Sequence, residues 1–202
     1  MQAWGQHTYE DFRPSAMFPT RSGLVGLLGA CLGIERADKT GLIALSNSFR
    51  YAARADARPQ SVRKIADFHT VMDARSVSGK PREFPVVSSR EYLCDGQFTL
   101  AMEFQPAAAV SLGTVREAVN RPKYTPFLGR RSCPITQPLY LDTLTADDLR
   151  GALALIEPKK GVIYSEDAGD SPNQMTLRDV PTAARHRQFA MRTVFIHAEG
   201  DE

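Results

Sequence analysis

No apolar run in the chain approaches the roughly 20 residues needed to cross a bilayer, and residues 1–10 lack the charged and apolar regions of a signal peptide. A cytoplasmic protein without membrane association is therefore expected. Cysteine is scarce: Cys31, Cys94 and Cys133 are odd in number, far apart and without a CxxC pair, which argues against a disulfide framework or a zinc knuckle. His7, His69, His186 and His197 are dispersed, and no HExxH, GxSxG or Walker sequence occurs. No metal site, no cofactor and no conventional catalytic residue is expected. A strong excess of either charge is also missing, since 25 basic residues face 23 acidic ones for a net charge of +2.

What is present is an uneven distribution of that charge. Between positions 50 and 90 nine basic residues face four acidic ones, and between 116 and 131 five face one. From 135 to 180 the sign reverses, with eight acids against four bases. Such segregation is expected of a protein with one face toward a polyanion; ordinary solvated arginines would give the same tally. The 202 residues suit one domain, 1–202, with an elaborated loop.

Leu24, Leu27, Leu28 and Cys31 recur at helical spacing and predict a helix over 21–32, capped by Thr20. Gly23, Gly26 and Gly29 lie on it, each costing about 1 kcal/mol relative to alanine in a helix interior. Close approach of a packed sheet, or of a phosphate backbone at the helix start, would compensate. Phe49, Tyr51 and Ala53 alternate with Arg50, Ala52 and Arg54, predicting a strand with one buried and one cationic face. Residues 58–90 then lose periodicity; with Pro59, Pro81, Pro85 and a turn at 77–80 they read as a long excursion, an extended hairpin. Strands are predicted at 97–104, 139–141, 161–165, 175–178 and 188–197, and helices at 112–119 and, with a cap at Thr145 and Asp148 three residues on, around Leu149, Leu153 and Leu155. This order suggests an α+β domain of the ferredoxin-like kind.

Residues 123–134 place Tyr124 and Phe127 before Gly129, Arg130, Arg131 and Ser132. Aromatic faces stack bases, arginine forks bind phosphate bidentately, and a glycine admits close backbone approach, so this loop suits single-stranded RNA. A proline-rich connection with solvated arginines is the bland alternative. Metal-independent RNA cleavage would need only an acid, a base and a cation, and His69, Tyr92 and Lys64 are the candidates.

Several stretches are similar to the CasD family of the type I-E CRISPR Cascade. They are Met1-Gln2-Ala3-Trp4-Gly5-Gln6, Phe18-Pro19-Thr20-Arg21-Ser22-Gly23-Leu24, Leu27-Leu28-Gly29-Ala30-Cys31-Leu32-Gly33, His69-Thr70-Val71, Arg90-Glu91-Tyr92-Leu93-Cys94-Asp95, the run 124–134 and Arg187-Gln188-Phe189-Ala190. The resemblance implies a modified ferredoxin-like (RRM-like) palm with a protruding β-hairpin thumb inserted at about 67–92. It implies a non-catalytic crRNA-binding subunit that holds the 5′ handle and caps the backbone-subunit filament. Its implied partners are crRNA, the backbone subunit, the large PAM-recognising subunit and, through the complex, target DNA. By the same resemblance Arg21, Ser22, Gly23, Tyr124, Gly129, Arg130, Arg131 and Ser132 contact the handle, and His69, Val71, Met72 and Arg75 serve the thumb; Arg63 is expected as a further RNA-binding residue. Relatives of another subtype cut RNA, which leaves an endoribonuclease processing precursor crRNA as the alternative. Family members carry a further segment before the Met1 run that forms a central strand, so such a segment is expected upstream.

Overall fold

The computed structural model describes residues 1–6, 11–56, 62–74, 79, 84–171, 173–183 and 188–198. The turn expected at 77–80 falls almost entirely outside the described residues, and Arg75 wholly so.

Among the described residues, two sheets and four helices make a mixed α+β architecture. The larger sheet joins β2 (Phe49–Ala55), β5 (Phe98–Phe104), β6 (Val162–Ser165), β7 (Asn173–Pro181) and β8 (Phe189–His197) in the order β5-β2-β6-β8-β7, and every pairing is antiparallel. On one face the registered pairs Phe49 with Phe104, Tyr51 with Met102 and Ala53 with Leu100 meet Leu24, Leu27, Leu28 and Cys31 of α1 (Arg21–Leu32). The helix α2 (Lys39–Ser48) contributes Leu45, and α3 (Leu112–Asn120) contributes Val115, to the same core.

The opposite face corrects the cationic face expected of β2. Ala52 and Arg54 are buried there, beneath Leu149 and Leu153 of α4 (Leu149–Ala154). Arg54 is 0% exposed; its Nε donates to Asp56 at 2.6 Å and its Nη1 to the Leu153 carbonyl at 2.5 Å. A charge this deep needs a carboxylate partner. Arg50 alone keeps the expected exposure, and it pairs with Asp167 and with Glu103.

The helix ends are closed partly by local chemistry and partly from afar. Thr20 occupies the N-cap of α1, yet its side chain makes no capping bond; Asp179, far off in β7, accepts from the Arg21 N–H at 2.7 Å instead. At the other end Gly33 takes the left-handed conformation, φ 76°, that closes many helices. The cap of α4 is Asp148, whose carboxylate accepts from Gly151 N at 2.6 Å, rather than Thr145. Residues 139–141, predicted as a strand, form no regular element.

The excursion is an antiparallel hairpin. Strand β3 (Arg63–Val71) pairs with β4 (Val86–Cys94) through nine registered residues, from Arg63 opposite Cys94 to Val71 opposite Val86. On the far edge of β4 lies the short parallel strand β1 (Phe12–Arg13), so the order β1-β4-β3 leaves β3 at the open edge. The hairpin is moored by that pairing, at Ser89 and Arg90, and at its base. There Gln2 bridges to Leu93, Leu93 packs with Trp4 and Ala16, and Tyr92 packs with Ala3 and Cys133.

Candidate nucleic-acid interface

Register sorts the hairpin into two faces, because successive strand side chains alternate. Arg63, Ile65, Asp67, His69 and Val71 share a face with Arg90 and Tyr92, while Lys64, Ala66, Phe68 and Thr70 share the other with Glu91 and Leu93. Outward from the base the hairpin is exposed: Phe68 at 72%, Met72 at 67% and Phe84 at 75%. Hydrophobic side chains this bare await a covering surface or a stacked base.

The loop at 123–134 packs against the root of the first face. Its start is tied to the end of α1, where Lys123 N donates to Cys31 O and Tyr124 N to Ala30 O. It then closes through Leu128 N to Cys133 O and a bridge between Phe127 and Pro134. Gly129 has φ 85°, and a Cβ there would overlap the Ala3 carbonyl. Its freedom therefore serves the close approach of the chain's own N-terminal segment.

Arg130 lies over the Tyr92 ring at 4.6 Å and donates from Nη1 to Glu91 O at 2.9 Å and from Nη2 to Arg13 O at 3.4 Å. It is a bracket between loop, β4 and β1, with part of its donor fork still available. Arg131, Ser132 and Tyr124 are exposed, and Arg131 has no hydrogen-bond or ion-pair partner among the described residues. The thiol of Cys133 beneath them is pushed up by burial.

Among the α1 residues, Arg21 is engaged within the chain. Its guanidinium donates to Ser46 Oγ, Ser46 O and Phe49 O and pairs with Glu166 at 2.5 Å, and its backbone N–H donates to Asp179. Gly23 is likewise internal: a Cβ would meet the Trp4 ring at 2.7 Å, so close packing accounts for this glycine. Gly29 packs on Leu42 in the same way, whereas Gly26 has nothing within 4 Å of a built Cβ and no compensating contact. Ser22 keeps partial exposure.

On the hairpin, His69 Nε2 lies 2.8 Å from Asp67 Oδ2 and 3.5 Å from the Tyr92 hydroxyl. Lys64, the third member of the candidate cleavage set, sits on the other face with its ammonium 2.9 Å from Glu91. Burial pushes the Glu91 carboxyl up, but the Lys64 hydrogen bond and the Ser15 N–H outweigh it and hold the group below the ordinary glutamate range. Lys64 thus does not converge with His69 and Tyr92. Arg63, Val71 and Met72 are exposed along the hairpin. Arg13 and Arg90 went unnoticed as site residues; an arginine between Phe12 and Pro14 carries no motif, and only the β1–β4 pairing gives it meaning.

A hairpin carrying bare aromatic and cationic side chains is thus rooted beside an arginine-bearing loop on a mixed α+β body. Comparison with known proteins gives this arrangement a family. The model of the family described as "CRISPR-associated protein (Cas_Cas5)" matches residues 1–195, and the chain belongs to that family. It is 47% identical over 203 residues to the CRISPR system Cascade subunit CasD of Escherichia coli (strain K12), covering 97% of this chain and 91% of that protein. Among solved structures, a chain of a CRISPR RNA-guided surveillance complex aligns with TM-score 0.74 at 26% identity, covering 97% of this chain and 85% of its own. A crystal structure of a Cas protein shares the fold with TM-score 0.62 at 23% identity, over 97% and 87% of the two chains.

Proposed function

We propose that the protein is the non-catalytic crRNA-gripping subunit of a type I-E Cascade, in which a ferredoxin-like palm holds the 5′ handle and the hairpin at about 67–92 acts as a thumb across the RNA. The observation that carries this reading is the face built by β4, the 123–134 loop and the exposed hairpin, where Arg63, Arg90, Arg130 and Arg131 have no carboxylate partner among the described residues. Near-complete alignment with CasD supports it. Exposed Tyr124, Arg131 and Ser132, with Ser22, are the handle contacts, while Arg130 contributes through the residue of its fork. Arg63, His69, Val71 and Met72 are the thumb contacts, and Arg75 belongs with them by position. The partners are crRNA, the backbone subunit whose filament it caps, the large PAM-recognising subunit and, through them, target DNA. The separation of Lys64 from His69 and Tyr92 supports a subunit that breaks no bond.

Copurification tests the assembly: the tagged chain, expressed with the other Cascade subunits and a CRISPR array, should carry small RNA sharing a repeat-derived 5′ end. Affinity for handle RNA should fall steeply with salt, as phosphate contacts release counterions, and replacing both Arg130 and Arg131 with alanine should weaken it further. Normal crRNA assembly by that double variant would acquit the loop. Specific cleavage of precursor crRNA by the purified chain, abolished in His69→Ala, would establish the endoribonuclease reading instead.

A further inference from the structure

Arg13 and Arg90 are register partners in the parallel pairing of β1 with β4. Side chains of registered residues rise from the same face of a sheet whose strands lie about 4.8 Å apart, so two guanidinium groups start side by side. Arg130 reaches the same spot from the loop, since its Nη2 donates to the carbonyl of Arg13 and its Nη1 to that of Glu91. Three cations converge on one patch at the root of the hairpin. Like charges so placed repel one another unless an anion joins them.

The chain supplies no such anion among the described residues. None of the three arginines forms an ion pair there. Asp67 stands opposite Arg90 in register but is bound to His69, and Glu91 points to the other face, held by Lys64 and by the N–H of Ser15. The hydrogen bond from Arg90 Nε goes to Ser88 Oγ at 3.3 Å, and its terminal nitrogens have no partner among the described residues. Arg13 Nε is buried with no hydrogen-bond partner among the described residues, a donor that a native site should satisfy.

We infer that Arg13, Arg90 and Arg130 form a cradle for one phosphodiester of a single RNA strand. This rests on the RNA-gripping reading and deepens it with a site for a single backbone phosphate. A phosphate is favoured over a base because the one aromatic face in the patch, Tyr92, is already covered by Arg130. Guanidinium forks match the paired oxygens of a phosphodiester. The cradle lies between the exposed loop residues Arg131 and Ser132 and the hairpin, so it fixes the strand where it passes from one to the other.

The test compares wild type with the Arg13→Gln/Arg90→Gln variant for binding of handle RNA across a salt series, using the chain in its complex. Arg130 is left in place because it braces the fold. Loss of one phosphate contact should weaken binding by about tenfold or more and make the logarithmic salt slope shallower by about 0.7. A scan of RNAs each carrying one neutral methylphosphonate linkage supplies the second measurement. One linkage should cost the wild type about tenfold and cost the variant nothing further. Should the glutamine variant fail to fold, Arg90→Lys retains the charge, and the same scan should show a weakened effect at the same linkage. Unchanged affinity and slope in the variant, or no linkage whose neutralisation is felt, overturns the cradle while leaving RNA binding intact. Absence of RNA binding by the wild type overturns the underlying reading as well.

Discussion

Asp179→Ala should be among the most destabilising single changes in the protein. The side chain of Asp179 is 0% exposed and accepts three hydrogen bonds, from Arg21 N at 2.7 Å and from Arg192 Nε and Nη2 at 2.7 and 2.9 Å. Truncation removes the cap of α1 and leaves the Arg192 guanidinium, itself 11% exposed, without its principal counter-charge. Breaking a buried pair by deleting one member costs about 3–5 kcal/mol. Glu166 remains 3.2 Å from Arg192 and 2.5 Å from Arg21, so the lower end is expected. At about 2–4 °C per kcal/mol for a protein of this size, the melting temperature should fall by about 6–12 °C. Urea titration and thermal melting of the variant beside wild type measure the loss. The network also holds Tyr51: burial pushes its hydroxyl far up, and it donates to Pro19 O at 2.9 Å while accepting from Arg192. A phenol absorbance titration should therefore find one tyrosine in wild type that ionises only on unfolding and that becomes accessible in the variant. A loss below about 1 kcal/mol, the ordinary yield of a hydrogen bond, would refute the claim that these charges depend on Asp179.

Gly129→Ala should destabilise by more than the roughly 1–2 kcal/mol that a left-handed backbone imposes on a residue with a Cβ, because the added methyl group also displaces Ala3; thermal melting reads it. Arg131→Ala combined with Ser132→Ala should weaken RNA binding several-fold in a filter assay yet leave the melting temperature within about 2 °C of wild type, as exposed substitutions do, whereas Arg21→Ala should lower stability first. Glu91 has a depressed pKa in the folded chain, so its contribution is complete above the ordinary glutamate range and lost as pH falls through the lower, folded value. Glu91→Gln should consequently flatten the acid limb of the stability-against-pH curve, measured by urea titration at successive pH values.

Periodicity disclosed the framework where one layer dominates the environment. Leu24, Leu27, Leu28 and Cys31 on α1, and Leu100, Met102 and Phe104 on β5, meet a single core and repeat accordingly, while Phe98 at the start of β5 packs beside Trp4 and Phe18. Arg54 deceived because alternation reports only that two faces differ; it cannot report that α4 arrives later to roof the second one. The helix α2 escaped notice since Gly41 and the run Ser46, Asn47, Ser48 dilute its apolar stripe, although Asp38 caps it from Gly41 N. Leu139, Tyr140 and Leu141 look like a strand by composition, yet no neighbouring backbone pairs with them. Site residues followed the same rule. Arg131 and Ser132 stay exposed near a tight turn, as local chemistry suggests, while Arg21 and Gly129 owe their roles to Glu166 and Ala3, partners that no local reading could supply.

The open edge of β3 has a consequence for how the protein must be made. Along that margin runs a length of unpaired peptide groups, and close to it stand bare rings and a thioether. Such a border invites any other extended chain to dock, its own copies included. Newly synthesised molecules that meet no sheathing companion should therefore cling together and precipitate, which makes matched production with whatever sheathes the hairpin a condition of solubility.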